Sequence, residues 1–143
     1  MGGVRADGLV HVELVAHRPG VEWVTEERAV LAADWPGAVW ALDPAGPAVE
    51  LRGDGEWREI TAKEAGEAFG WLLTSVGSGA LRWRVGSTEL AAGLAEAMHD
   101  AVPGTYADGV RRWSRRRSSV DISPLVAVTL AAWAGRHVEV PGD

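Results

Sequence analysis

The sequence predicts an α+β fold: a single, mainly antiparallel sheet with about three helices packed on one face, forming one globular domain over residues 1–143. Three observations carry this expectation. Short stretches of two-residue hydrophobic alternation recur through the first sixty residues. Two later stretches carry apolar residues at the 3.6-residue period of an amphipathic helix. The connections are short, and strand and helix patterns alternate through the middle of the chain.

Residues 9–16, LVHVELVA, alternate with Val10, Val12 and Leu14 on one side and His11 and Glu13 on the other, the pattern of a half-buried strand. Arg18-Pro19-Gly20 punctuates it, and VEWVT at 21–25 reads as a second strand. Residues 26–34 fit either a short helix with acids in its first turn or a strand. AVWAL (38–42), AVELR (48–52) and EWREI (56–60) read as a three-strand antiparallel meander. In it, Asp54-Gly55 supplies a tight hairpin turn, and the link at 43–47 supplies a longer one.

Thr61 followed three residues later by Glu64 is a capping box, the strongest helix-start signal in the chain. Ala65, Ala68, Phe69, Leu72, Leu73 and Val76 then share one stripe of a helix that ends at Gly77-Ser78-Gly79. ALRWRV (80–85) is a strand with Leu81, Trp83 and Val85 facing inward. Ser87 caps a second amphipathic helix over 88–101, broken by VPGTY. Residues 107–119 carry an arginine run that could also be helical. Ser123-Pro124 opens a last helix, apolar nearly all round and stopped by Gly135, before a short strand in RHVEV at 136–140.

Composition narrows the function. At 47% hydrophobic and 24% charged residues the chain is globular in type. At this length folding buries roughly 68% of the unfolded surface. The absence of cysteine excludes disulfides, thiolate nucleophiles and cysteine-held zinc or iron–sulfur groups. The most apolar stretch, residues 124–135, falls short of the ~20 residues that span a bilayer, and the first residues lack the apolar run of a signal peptide. Both point to a cytoplasmic protein without membrane contact. Thirteen arginines against the lone Lys63, with abundant alanine and glycine, suit a GC-rich bacterial genome.

The unusual stretch is RRWSRRRSS at 111–119. Arg111, Arg112, Arg115, Arg116 and Arg117 against Asp108 give residues 105–120 a charge of +4, so the rest of a chain at −6 carries −10. Such separation can steer an acidic partner to one patch, and Trp113 could stack on a nucleic-acid base. Five phosphate contacts would give a salt slope of about −4.5. Against nucleic acid stand the pI near 5.2 and the lack of any helix-turn-helix, RNP or zinc-finger pattern. The bland alternative is pairing of the arginines with the protein's own carboxylates.

Eight tryptophans accompany one tyrosine and one phenylalanine. Trp40, Trp57, Trp83 and Trp133 sit in apolar element interiors and read as core. Trp71 lies off its helix's apolar stripe, and Trp35 lies in a loop beside Pro36. Tryptophan and arginine are enriched at interface hot spots. His11, His17, His99 and His137 lack metal-ligand spacing, so no metal or cofactor is implied. His99 between Glu96 and Asp100, and the pairs His11/Glu13 and His137/Glu139, are the only sites for a histidine-dependent enzyme. Ser87, opening a helix after a strand, is a weak anion site.

The reading that best fits is a binding module of the inhibitor, immunity-protein or accessory-subunit kind, not an enzyme. It would contact a protein partner, or a second copy of itself, through Arg111, Arg112, Trp113, Arg115, Arg116 and Arg117, with Trp71 and Trp35 next. A nucleic-acid-binding regulator using the same arginines, and a small cofactor-independent enzyme with a histidine in a sheet–helix pocket, are the alternatives.

Overall fold

A computed structural model describes residues 1–53 and 55–137, the last of these by its backbone alone. The chain is α+β, with five helices and three small sheets among the described residues. Among the described residues its contacts divide it into two compact units: one comprises residues 1–17 and 62–137, the other Arg18–Thr61.

In the first unit, β1 (Gly2–Val4) pairs antiparallel with β2 (Val10–Leu14), and β2 pairs parallel with β5 (Leu81–Val85). The alternation of β2 is realised: Val10, Val12 and Leu14 are buried while His11 and Glu13 are only half-buried. Those three side chains join Leu72, Leu94, Ala97, Leu125, Val128 and Ala132 in one core. The contributing helices are α2 (Ala62–Ser78), α3 (Thr88–Asp100) and α4 (Ser123–His137).

Helix α2 begins directly after Thr61, and Ala68, Phe69 and Leu72 are buried, but Leu73 and Val76 are exposed, so its buried stripe is narrower than the periodicity suggests. At the start of α3, the Ser87 hydroxyl accepts the Leu90 amide at 3.2 Å from an extended backbone, as an N-cap should. Gly135 does not stop α4, which continues to His137. Its role is close approach: a Cβ there would lie 2.8 Å from the Gly3 nitrogen, and one on Gly2 would lie 2.3 Å from the Ala131 carbonyl oxygen. Glycine at both positions lets β1 lie backbone to backbone on the helix.

The second unit contains α1 (Val24–Asp34), β3 (Ala41–Leu42), a 3-10 helix (Pro47–Gly53) and β4 (Arg58–Glu59). It buries Leu42, Leu51 and Ile60.

The single antiparallel sheet is not what forms. Residues 21–23 turn and Val24 and Thr25 open α1, with Glu26 and Glu27 in its first turn, where they complement its positive end. Residues 48–52 coil into the 3-10 helix behind Pro47, a residue preset for a first helical turn. The Asp43 carboxylate accepts the Ala45 amide at 3.0 Å and starts this reversal. With AVELR removed from the meander, β3 and β4 run parallel instead of antiparallel. Arg136 and His137 of the expected last strand belong instead to α4, while the rest of that strand and Asp54 of the expected turn lie outside the described residues.

The last departure positions the arginines. Residues 102–114 form a hairpin, β6 (Val102–Thr105) antiparallel to β7 (Arg111–Ser114). Tyr106 and Val110 close it through a 3.1 Å backbone hydrogen bond, and Gly109 takes the positive φ of 78° that the turn needs. Pro103, which cannot donate to a ladder, is tolerated in a two-stranded ribbon.

Candidate binding surface

Two-residue alternation on β7 sorts the arginine run. Arg111 and Trp113 share one side of the strand and meet helix α2. The Trp113 ring stands edge-on to Phe69 at 4.8 Å and 83°, and the Arg111 guanidinium lies 5.7 Å from the same ring. Trp113 is tied down further: its indole N–H donates to the Thr129 hydroxyl at 3.1 Å, which itself donates to the Leu125 carbonyl at 2.7 Å. Trp113 therefore anchors the hairpin to α2 and α4, and its ring is engaged inside the protein.

Arg112 faces the other way. Its guanidinium lies 3.8 Å from the Tyr106 ring and donates to Asp108 at 3.3 Å, with the side chain only 17% exposed. Asp108 is held below the usual carboxylate range, first by the Val110 amide and then by Arg112. Arg112 is thus largely neutralised from within.

After β7 a turn is fastened by two serines. The Ser114 hydroxyl accepts the Arg117 amide at 3.2 Å, and the Ser118 hydroxyl donates to the Ser114 carbonyl at 2.6 Å while accepting the Val102 amide at 3.0 Å. Arg115 is half-buried here and donates to the Ser123 hydroxyl at 2.7 Å. Nearby, Asp121 accepts the Ser123 amide at 2.9 Å and meets His17 Nε2 at 3.2 Å. Burial pushes the Asp121 carboxyl up, but hydrogen bonds from Ser123 and the charges of His17 and Arg115 more than offset this and leave it lowered.

Arg116 and Arg117 are exposed on the same turn. Arg117 reaches the Pro103 carbonyl at 3.4 Å, and Arg116 has no hydrogen bond or ion pair among the described residues. The run thus divides: Arg112, Trp113 and Arg115 hold the protein together, while Arg111, Arg116 and Arg117 present charge to solvent.

The remaining candidates are dispersed. Trp71 is half-buried against the core of the first unit. Trp35, at 55% exposed, follows α1 in the second. Trp83, expected inward, is 43% exposed because β5 is an edge strand, although its register partner Val12 is buried. Trp133 is buried, and Trp40 and Trp57 are half-buried. The His99 side chain is 86% exposed beside Asp100 at 2.8 Å, and the His137 side chain lies outside the described residues. Among the described residues no group of three or more metal-ligating side chains converges, and no helix is long and apolar enough to cross a membrane.

No sequence pattern announces a cluster in the second unit, where Arg28 lies against both Trp40 and Trp57. These residues are distant along the chain, and no spacing rule links them. Comparison with protein-family models, curated proteins and solved structures found no match.

Proposed function

We propose that this protein is a cytoplasmic binding module, acting as an inhibitor, immunity-like protein or accessory subunit, that meets an acidic patch on a protein partner through Arg111, Arg116 and Arg117. The observation that carries the reading is the state of Arg116: an exposed guanidinium, without a counter-charge among the described residues, on a turn whose backbone is fastened by Ser114 and Ser118. A fixed turn holds its charges in place before binding, so little ordering entropy is lost on association. Arg111 and Arg117 lie on the same ribbon and turn and extend the charge.

The nucleic-acid alternative draws less support. Base stacking needs a free aromatic face, and Trp113 is committed to Phe69 and Thr129. Three exposed arginines would give a salt slope of about −2.7.

The reading is tested by affinity capture from the source cell with wild type and an Arg116→Glu/Arg117→Glu variant, alongside titration of labelled DNA and RNA at two salt concentrations. A captured protein that the variant loses supports it. Equal capture by both forms removes the arginine surface. Nucleic-acid binding at low salt that weakens steeply with salt replaces the reading by its rival.

A further inference from the structure

The cluster around Arg28 has the chemistry of a ligand site, and it belongs to the Arg18–Thr61 unit, apart from the hairpin arginines. Its walls follow from strand register. Ala41 of β3 pairs with Arg58 of β4, so the preceding residues, Trp40 and Trp57, stand side by side at the start of two parallel strands. The Arg58 amide donates to the Trp40 carbonyl at 2.7 Å and fixes that pairing. Arg28, from α1, lays its guanidinium carbon 4.1 Å from the Trp57 ring centre and 5.1 Å from that of Trp40. Cation–π attraction of this kind is strongest where water is excluded.

The hydrogen-bond inventory is incomplete in one direction only. Arg28 Nη2 donates to the Glu56 carbonyl at 2.8 Å. Arg28 Nη1 and Trp57 Nε1 are both buried and have no acceptor. Proteins leave few buried donors unpaired, and a charged one is the costliest to leave so. Arg28 also forms no ion pair among the described residues, although its unit holds eight described carboxylates against four arginines. Over Nη1 lies Gly55, at φ 145°, where a Cβ would come to 2.7 Å of that nitrogen. A side chain at that position would therefore crowd the donor.

We infer that Arg28 Nη1 and Trp57 Nε1 form a site for a small monocarboxylate, whose two oxygens take the two free donors while the indoles of Trp40 and Trp57 flank its carbon. A planar anion with two acceptors matches a guanidinium edge and a neighbouring indole N–H. A single water could accept both hydrogen bonds but would leave the guanidinium without a counter-charge. A phosphate dianion brings more acceptor oxygens than there are free donors. It also meets the negative field of the unit's surplus carboxylates with twice the charge.

The test follows the indole N–H resonances of the full-length protein by proton–nitrogen correlation during titration with sodium acetate, at ionic strength held constant with sodium chloride. The Trp57 signal is the one missing from Trp57→Phe. It is expected to shift saturably with a dissociation constant on the order of millimolar, as suits a ligand of four heavy atoms. In Arg28→Gln the affinity is expected to fall at least tenfold while the six indole signals other than those of Trp40 and Trp57 stay in place. Should Arg28→Gln lose those signals, Arg28→Lys serves instead, keeping the charge but not the planar fork, with the same tenfold loss expected. A Trp57 signal that ignores acetate, that responds equally to chloride, or that shifts with unchanged affinity in the folded Arg28 variant overturns the site. Tighter binding of inorganic phosphate than of acetate overturns its assignment to a monocarboxylate.

Discussion

Two glycines one turn apart on α2 should respond to the same substitution with opposite signs. Replacing a helix-interior glycine by alanine removes backbone entropy from the unfolded chain and stabilises by about 1 kcal/mol where the new methyl has room. Gly70 has room: nothing lies within 4 Å of a Cβ built there. Gly66 does not, because its Cβ would sit 2.3 Å from Val110 Cγ1 and 3.4 Å from the Arg111 carbonyl oxygen. The branched Cβ of valine restricts its χ1, so the side chain cannot swing away freely and the backbone of the hairpin must shift. Overpacking of this kind costs typically 1–3 kcal/mol. Set against the helical gain, Gly66→Ala is expected to destabilise by about 1 kcal/mol and Gly70→Ala to stabilise by about the same amount. At roughly 4 °C per kcal/mol for a unit of this size, the two melting temperatures should lie about 8 °C apart on either side of wild type. Thermal and urea unfolding followed by circular dichroism measure this directly. A Val110→Ala background identifies the cause: with the clash removed, Gly66→Ala should become stabilising, a coupling of about 2 kcal/mol within the range of touching residues. If Gly66→Ala raises the melting temperature as Gly70→Ala does, β7 does not rest on α2 and the placement of the arginine hairpin is wrong.

Two further perturbations probe the same region. Thr129→Val keeps the shape of a buried side chain but takes away the acceptor of the Trp113 indole, and leaving that donor unpaired should cost about 1–3 kcal/mol in urea unfolding; an unchanged midpoint would mean Trp113 is not anchored there. Asp121, with its carboxyl lowered in the folded protein, contributes stability that is present above its unfolded value of about 3.9 and is lost as pH falls through the lower folded value. Asp121→Asn should therefore flatten, without abolishing, the loss of stability on acidification, since Asp108 titrates in the same sense. Identical acid-unfolding curves for variant and wild type would refute this.

What the sequence made legible was local. The β2 alternation, the start of α2 after Thr61, the Ser87 cap and the apolar last helix all depend on residues within one turn or one strand of each other, and all appear in the structure. What it hid depends on context. VEWVT carries strand propensity, yet it runs into EERAVLAA, whose acids and alanines favour a helix, and the helix takes over from Val24. AVELR alternates as a strand would, but Pro47 and the Asp43 turn set a helical start. Residues 102–105 contain both proline and glycine and read as a break, whereas Gly104 is what allows the ribbon to close tightly: a Cβ there would meet Ser114 Cβ at 3.3 Å. The Arg28 cluster was hidden for another reason: its members come from α1 and the approaches to β3 and β4, and only the register between those strands brings them together.

The arginine run shows how a compositional signal and a geometric one can differ. Counted along the sequence, five guanidiniums in seven positions form one basic patch. Laid on a strand, consecutive side chains point to opposite faces, so Arg111 and Arg112 are separated at once: one goes toward Phe69 and the other toward Tyr106 and Asp108. The turn then separates Arg115, drawn to Ser123, from Arg116 and Arg117. Structural use and surface use are therefore interleaved within a single heptapeptide. The distinction has an experimental consequence. Neutralising Arg112 or Arg115 disturbs Asp108 or the Ser123–Asp121 contacts and so changes stability and any binding together. Arg116 lacks internal partners among the described residues, and substituting it changes the outward charge alone. Binding data from the whole cluster mutated at once would confound the two. Only the Arg116-based variants separate recognition from folding.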